Sequence, residues 1–277
     1  MSQRFVQRIL DRGQRIVASS DLGVRLAVAI RNQCRCVIKY RLAESPDAVE
    51  TGERWLVERV ARFGTRFVDV GANVGDWLGL LLSACGERSV EALAFEPSAS
   101  AFAALSQRYA REPRVTLAND ALGSEPGALP FFEERAAGKG SSFVADFLRA
   151  EGAAREVAVK RLDRELVERG WETVDLVKVD AEGYDLQVLR GAGTFVERAA
   201  IGVVQFEYNR AWQLAGDTLR SAYKLLEPAG YRVFVLKRDG LYTLDYARYE
   251  EYFEYTNYVA ISPNAMRHFD DRLRGSI

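Results

Sequence analysis

Val68-Asp69-Val70-Gly71-Ala72-Asn73-Val74-Gly75 decides the reading of this 277-residue chain. Residues 66–70, Arg-Phe-Val-Asp-Val, have the apolar, β-branched pattern of a buried strand, and residues 77–85 form a helical run. Glycines between the two let the backbone turn tightly and approach a ligand closely. The helix N-terminus that follows offers free N–H groups to polar or anionic ligand atoms. Strand, glycine turn and helix in this order mark the carboxyl edge of an open α/β sheet, where ligands bind near the point at which the strand order reverses.

Outward from that turn the alternation continues. Residues 90–95 read as a second strand, and Pro97 with Ser98 opens a helix running to about Ala110. Further strands are expected at 115–118, 174–179, 201–206, 231–236 and 257–261. Near-continuous apolar runs separated by helices imply a parallel sheet covered on both faces, hence an α/β, doubly wound fold. The stretch 123–152 departs from this rhythm and reads as a hairpin strand at 128–132 followed by a loop. Such a loop serves either as a lid over the sheet edge or as a plain connection.

The remaining chain narrows the class. The net charge of −1 lacks the basic bias of a nucleic-acid-binding domain. Three cysteines, Cys34, Cys36 and Cys85, form no paired spacing, so a reduced cytoplasmic setting is expected. The lone histidine, His268, excludes multi-histidine metal sites and leaves a divalent ion held by oxygen ligands possible. The start of the chain carries charges throughout and no apolar signal core, and the apolar stretch 26–30 is far too short to span a bilayer. Residues 3–33 set apolar residues at helical spacing, with Phe5, Ile9 and Ile16 sharing a face with Val6 and Leu10. We expect residues 1–60 to be an N-terminal helical extension capping a main domain at 61–277. A second reading is a basic amphipathic face for a membrane or partner, against which Asp11 and Asp21 count because they interrupt the basic residues.

Four acidic sites follow strand ends. Glu96 closes the second strand roughly 20 residues past the glycine loop, where a carboxylate accepts both hydroxyls of a ribose or caps the next helix. Asp120, in Asn119-Asp120-Ala121, either accepts an adenine amino group or forms an Asx turn. Asp180 and Glu182 end the fourth strand and point to one side if the chain stays extended through Ala181. Two close carboxylates raise one another's pKa and make one a general base, or else bind a divalent cation; alternatively one merely caps the next helix. Glu207, in Gln205-Phe206-Glu207-Tyr208-Asn209, ends the fifth strand on the same rim.

Together these residues resemble the FkbM family of class I methyltransferases. The resemblance is carried by the motifs at 68–75, 94–97 (Ala-Phe-Glu-Pro), 121–123 (Ala-Leu-Gly), 177–184 (Val-Lys-Val-Asp-Ala-Glu-Gly-Tyr), 188–192 (Val-Leu-Arg-Gly-Ala) and 205–209. It implies a Rossmann-like, mostly parallel seven-stranded sheet with an antiparallel final strand, and S-adenosylmethionine as the methyl donor. It also implies O-methylation of a hydroxyl on a sugar, glycan, glycolipid or polyketide-type natural product. Asp69, Gly71, Asn73 and Gly75 would surround the methionine end of the donor, with Glu96 at the ribose and Asp120 at the adenine. Asp180, Glu182 and Glu207 would face the acceptor, with Asp180 or Glu182 as base. Ala181 departs mildly from the pattern, where a β-branched residue is common.

The acceptor is then a small molecule or glycan, with no nucleic-acid partner and no transmembrane segment. Candidate acceptor walls are the loop 133–153 and the aromatic tail Tyr242, Tyr246, Tyr249, Tyr252, Phe253 and Tyr255, whose other reading is surface packing. Two rival readings have different chemistry. An NAD-dependent oxidoreductase is disfavoured because the loop reads Gly-x-Asn-x-Gly rather than Gly-x-Gly-x-x-Gly. A non-catalytic binding partner in a biosynthetic complex is disfavoured by the intact acidic rim.

Overall fold

Two helices, α1 (Gln3–Ala18) and α2 (Asp21–Leu42), form the first of two compact units, Met1–Leu42 and Ala43–Ile277. The structure is a computed structural model that describes residues 3–42, 51–133, 141–142 and 155–277. The unit boundary falls at 42/43 rather than at the expected 60/61. Its physical reason is α3 (Glu53–Val60), which buries Leu56, Val57 and Val60 completely in the core of the second unit.

The second unit is built on a nine-stranded sheet. Its strands are β1 (Arg66–Val70), β2 (Glu91–Phe95), β3 (Val115–Ala118), β4 (Val174–Val179), β5 (Ile201–Tyr208), β6 (Arg232–Lys237), β7 (Gly240–Thr243), β8 (Thr256–Ile261) and β9 (Leu273–Ser276). Their spatial order is β9-β7-β6-β8-β5-β4-β1-β2-β3. The run β3-β2-β1-β4-β5 is parallel throughout, and β8 lies antiparallel to both β5 and β6. The seven expected strands are therefore present, in the doubly wound, Rossmann-like arrangement. Two more extend one edge: β7 forms a hairpin with β6, and β9 pairs with β7. Both additions are four residues long, and β9 (Leu-Arg-Gly-Ser) is polar, as suits an edge strand with little to bury.

Helices cover both faces. On one, α3 and α4 (Asp76–Cys85) bury Leu56, Leu78 and Leu81 with Phe67, Leu176 and Val203 of the sheet. Between β2 and β3, α5 (Ala99–Tyr109) begins as its sequence predicts: Ser98 Oγ accepts from the Ala101 N–H and caps it. Six further α-helices follow among the described residues: α6 (Leu162–Glu168), α7 (Asp185–Gly191), α8 (Gly193–Glu197), α9 (Arg210–Ala215), α10 (Leu219–Leu226) and α11 (Tyr246–Tyr249). The indole of Trp212 on α9 packs against Phe206 and Tyr208 of β5, and Phe206 stacks on Tyr258 of β8.

A second, four-stranded sheet joins Ala121–Leu122, Arg155–Lys160, Gly127–Glu133 and Ser141–Ser142. The expected hairpin strand at 128–132 is present, and its long partner is Arg155–Lys160. Of the loop 133–153, all but Glu133 and Ser141–Ser142 lies outside the described residues. No described helix is long and apolar enough to cross a membrane.

Candidate functional site

Strand order reverses between β1 and β4, and the carboxyl ends of these strands bring the motif residues together. Leaving β1, the chain turns at Gly71, whose φ is +75°. A Cβ there would lie 1.9 Å from the carbonyl oxygen of Asp180, so only glycine fits. The Gly71 and Ala72 N–H groups both donate to Phe95 O, which ties the turn to the end of β2. Asn73 has φ +49°, and its N–H donates 2.7 Å to Glu96 Oε2. The other oxygen, Glu96 Oε1, accepts from the Ser98 N–H at 2.8 Å. Each of these oxygens keeps a second lone pair for a ligand hydroxyl. Burial raises the Glu96 pKa, and the two backbone hydrogen bonds pull it back.

A polar row crosses one face of the sheet beneath the turn. In register, Asp69 of β1 sits beside Lys178 of β4, and Lys178 beside Gln205 of β5. Lys178 is buried, with its Nζ 3.2 Å from Asp180 Oδ2 and 3.7 Å from Asp69 Oδ1. Burial alone would discharge this ammonium, but Asp180, Asp69 and Glu53 hold it charged and raise its pKa. Gln205 Nε2 donates 2.7 Å to Glu53 Oε1, so α3 contributes a carboxylate to the row. Sequence reading missed Glu53. It lies in no motif and reaches the site only because α3 packs on the sheet.

Asp69 is 1% exposed, and neither of its carboxylate oxygens has a hydrogen-bond partner among the described residues. Burial pushes its pKa up to about 6, Lys178 opposes this, and Asp180 and Glu53 add to it. An unsatisfied buried carboxylate costs stability unless a donor reaches it, so Asp69 is a ready acceptor for a ligand ammonium or hydroxyl.

The acidic rim departs from the extended geometry expected of it. β4 ends at Val179, and Glu182 takes a left-handed conformation with φ +47°. Asp180 and Glu182 therefore do not share a strand face by simple alternation. They meet through the turn instead, and backbone strain of this kind gathers at functional sites. Burial, then the charges of Asp180 and Asp185, pushes the Glu182 carboxyl up to about 8. Glu207 is raised well above its ordinary value by burial and by Asp180, Glu182 and Asp185. Its Oε1 accepts from Asn209 Nδ2 at 2.6 Å, while Asn209 Oδ1 caps α9 through the Ala211 N–H. Asp185, buried on α7, rises to about 7 for the same reason, burial first and Asp180 next.

Two expected elements sit differently from their sequence reading. Asp120 is held by Lys160, with Nζ 2.8 Å from Oδ2, so any adenine contact shares that carboxylate with an ammonium from the second sheet. The aromatic tail divides in two. Tyr252 is buried and hydrogen-bonded to Tyr258 inside a ring cluster with Tyr208. Tyr255 faces the acidic rim: its hydroxyl accepts from Asn257 Nδ2, and burial followed by the Glu207 charge raises its pKa. His268 stacks on Phe63 at 3.9 Å. Among the described residues, no group of three or more His, Cys, Asp or Glu side chains is arranged to hold a metal ion.

A family model described as the methyltransferase FkbM domain matches residues 69–233, from β1 into β6. Among solved structures, the chain is similar to methyltransferase FkbM from Methylobacillus flagellatus, at 17% identity and a TM-score of 0.47, covering 71% of this chain and 43% of that one. It is also similar to precorrin-6y C5,15-methyltransferase from Geobacter metallireducens, at 13% identity and a TM-score of 0.40, covering 76% of this chain and 87% of that one. A third similar structure is fibrillarin from Aeropyrum pernix with bound S-adenosyl-L-methionine, at 12% identity and a TM-score of 0.39, covering 83% and 74%. The chain spans less than half the length of the Methylobacillus protein. No curated protein sequence matches it.

Proposed function

The chain belongs to the FkbM methyltransferase family, and from that premise we propose that it is an S-adenosylmethionine-dependent O-methyltransferase acting on a hydroxyl of a sugar, glycan, glycolipid or polyketide-type product. The observation that carries this reading is the carboxylate set Asp180, Glu182 and Glu207 beside the Gly71 turn, with Glu182 pushed up to about 8.

The donor fits the residues present. Asp69, a buried carboxylate whose oxygens accept no hydrogen bond from the described residues, suits the donor's amino group. Gly71, Asn73 and Gly75 let the backbone come close to the methionine end, and Glu96 is aligned for a ribose by two backbone N–H groups. Asp120 takes the adenine side together with Lys160. When bound, S-adenosylmethionine supplies a methyl group on a sulfonium.

The chain's own task lies at the acceptor. A protonated hydroxyl is a poor nucleophile, so a carboxylate must take its proton. A base works best with a pKa near the working pH, which the raised Glu182 provides. Lys178 keeps Asp180 compensated while burial and repulsion keep Glu182 basic. Glu207, Tyr255 and Asn257 form a polar wall with an aromatic ring, the kind of surface that orients a sugar-like acceptor. Positioning the hydroxyl in line with the methyl supplies much of the remaining rate.

The test is release of S-adenosylhomocysteine when the full chain meets S-adenosylmethionine and a panel of hydroxyl acceptors. Product should form with at least one member and carry the methyl on oxygen. Methylation on carbon or nitrogen would overturn the O-methyl reading, and donor binding without turnover on any acceptor would favour the binding-partner alternative.

A further inference from the structure

We propose that the unit Met1–Leu42 is a docking element for an anionic lipid surface, lying along it rather than through it. Ten of the thirteen large apolar side chains that are exposed among the described residues belong to this unit. On α2, Leu22, Leu26, Ile30, Val37 and Tyr40 recur at i, i+4, i+8, i+15 and i+18, which sets them on one stripe. They are 77%, 60%, 56%, 69% and 82% exposed. Arg31, Arg35 and Lys39 follow one another at spacings of four on the opposite side. On α1, Leu10 and Val17, seven residues apart, are exposed on one side, and Arg12 and Arg15 stand on the other.

A pair of helices this short has no interior of its own, so its apolar stripe needs an external surface. The charge selects the kind of surface. Residues 1–42 hold nine Arg and Lys against two Asp, a formal +7, while the whole chain is −1 and residues 43–277 are left with −8. The two aspartates have local roles: Asp11 accepts from Gln7, and Asp21 stands in the first turn of α2, where the helix dipole favours an acid, and pairs with Arg25 at 3.8 Å across exposed side chains. They leave the unit with its net charge of +7.

An apolar stripe on one side and Arg and Lys on the other are the signature of helices that lie in the headgroup layer, where acyl chains take the stripe and anionic headgroups take the cations. At about 1.5 Å per residue, the 22 residues of α2 give about 33 Å of contact. Basic residues along its whole length keep α2 from crossing a bilayer. A second copy is the poorer occupant, since it would bring together two units that each carry +7.

Flotation of the full chain with vesicles tests this. Vesicles of phosphatidylcholine with about a third phosphatidylglycerol should carry the protein upward at low salt, and pure phosphatidylcholine should not. Leu26→Glu with Ile30→Glu should abolish flotation. Arg12→Gln with Arg15→Gln, which leaves the stripe intact, should lower partitioning roughly 30-fold. Circular dichroism of each variant should match the parent. Failure of the parent to float, equal binding to neutral vesicles, or a concentration-dependent dimer lost in the Ile30→Glu variant without flotation would overturn the proposal.

Discussion

Residues 1–42 and residues 43–277 treat the same kinds of side chain in opposite ways. Leu56 and Leu78 of the second unit are fully buried, whereas Leu22 and Leu26 of the first are more than half exposed. Acid is concentrated in the second unit and base in the first. In the second unit, carboxylates are drawn into the interior, crowded around one lysine and shifted upward. In the first, the charges of α2 stand exposed from Arg25 to Arg41. A stretch that completes its own core is free to hold costly buried charges at a site. A stretch that does not complete a core spends its apolar residues on a surface outside itself.

The largest expected effect lies in the buried acids. Asp180→Asn and Glu182→Gln should each lower turnover about 10²–10⁴-fold, the usual contribution of a general base, while donor affinity changes little. Single-turnover kinetics beside a donor titration would check this, and full activity in both variants would break the contrast at its centre. Next comes the core: Leu78→Ala should cost about 2–5 kcal/mol by denaturant titration.

The pH dependence has a definite sign. Asp69, Asp185 and Glu182 titrate at about 6, 7 and 8 in the folded protein, above their ordinary values. Between roughly pH 4 and pH 8 the folded state therefore holds protons that the unfolded chain has released. The stability these groups contribute is complete below about pH 4 and is lost as pH rises through 6–8. The melting temperature should fall from pH 5 to pH 8 while kcat/KM climbs on a limb near 8. Glu182→Gln should remove the activity limb and reduce the fall in melting temperature, leaving the part due to Asp69 and Asp185, and a melting temperature that rises over this range would contradict the burial of these acids. The smallest effect belongs to the first unit: Leu26→Ala should move stability by no more than about 0.5 kcal/mol in the absence of lipid. A larger loss would mean that Leu26 packs inside the protein.

Much of the second unit was legible because its signals are local. The strands at 66–70, 115–118 and 174–179 fall where their apolar runs end, and Ser98 caps α5 as its position beside Pro97 suggests. The glycine turn was legible because no other residue tolerates the approach of Asp180 O. What escaped depends on distant packing. Glu53 enters the site from a segment without a motif, and Lys160 reaches Asp120 from a strand that no pattern announced. The left-handed Glu182 escaped because strand alternation assumes a chain that stays extended, and this one turns two residues earlier. The boundary at 42/43 escaped because α2 and α3 are both helices, and burial is what separates them: α3 lies in the core of the second unit while α2 is largely exposed.

Donor binding tests the central claim most directly. The melting temperature of the full chain would be followed with S-adenosylmethionine, with S-adenosylhomocysteine and with NAD. A ligand at about 100 times its dissociation constant stabilises by about 2.7 kcal/mol. In a chain of this size that amounts to roughly 5–10 °C. A rise of this size with the two sulfur ligands and none with NAD is the predicted result. No rise with either sulfur ligand, or a rise with NAD alone, would contradict the account of the Gly71 turn and of the chemistry proposed at its edge.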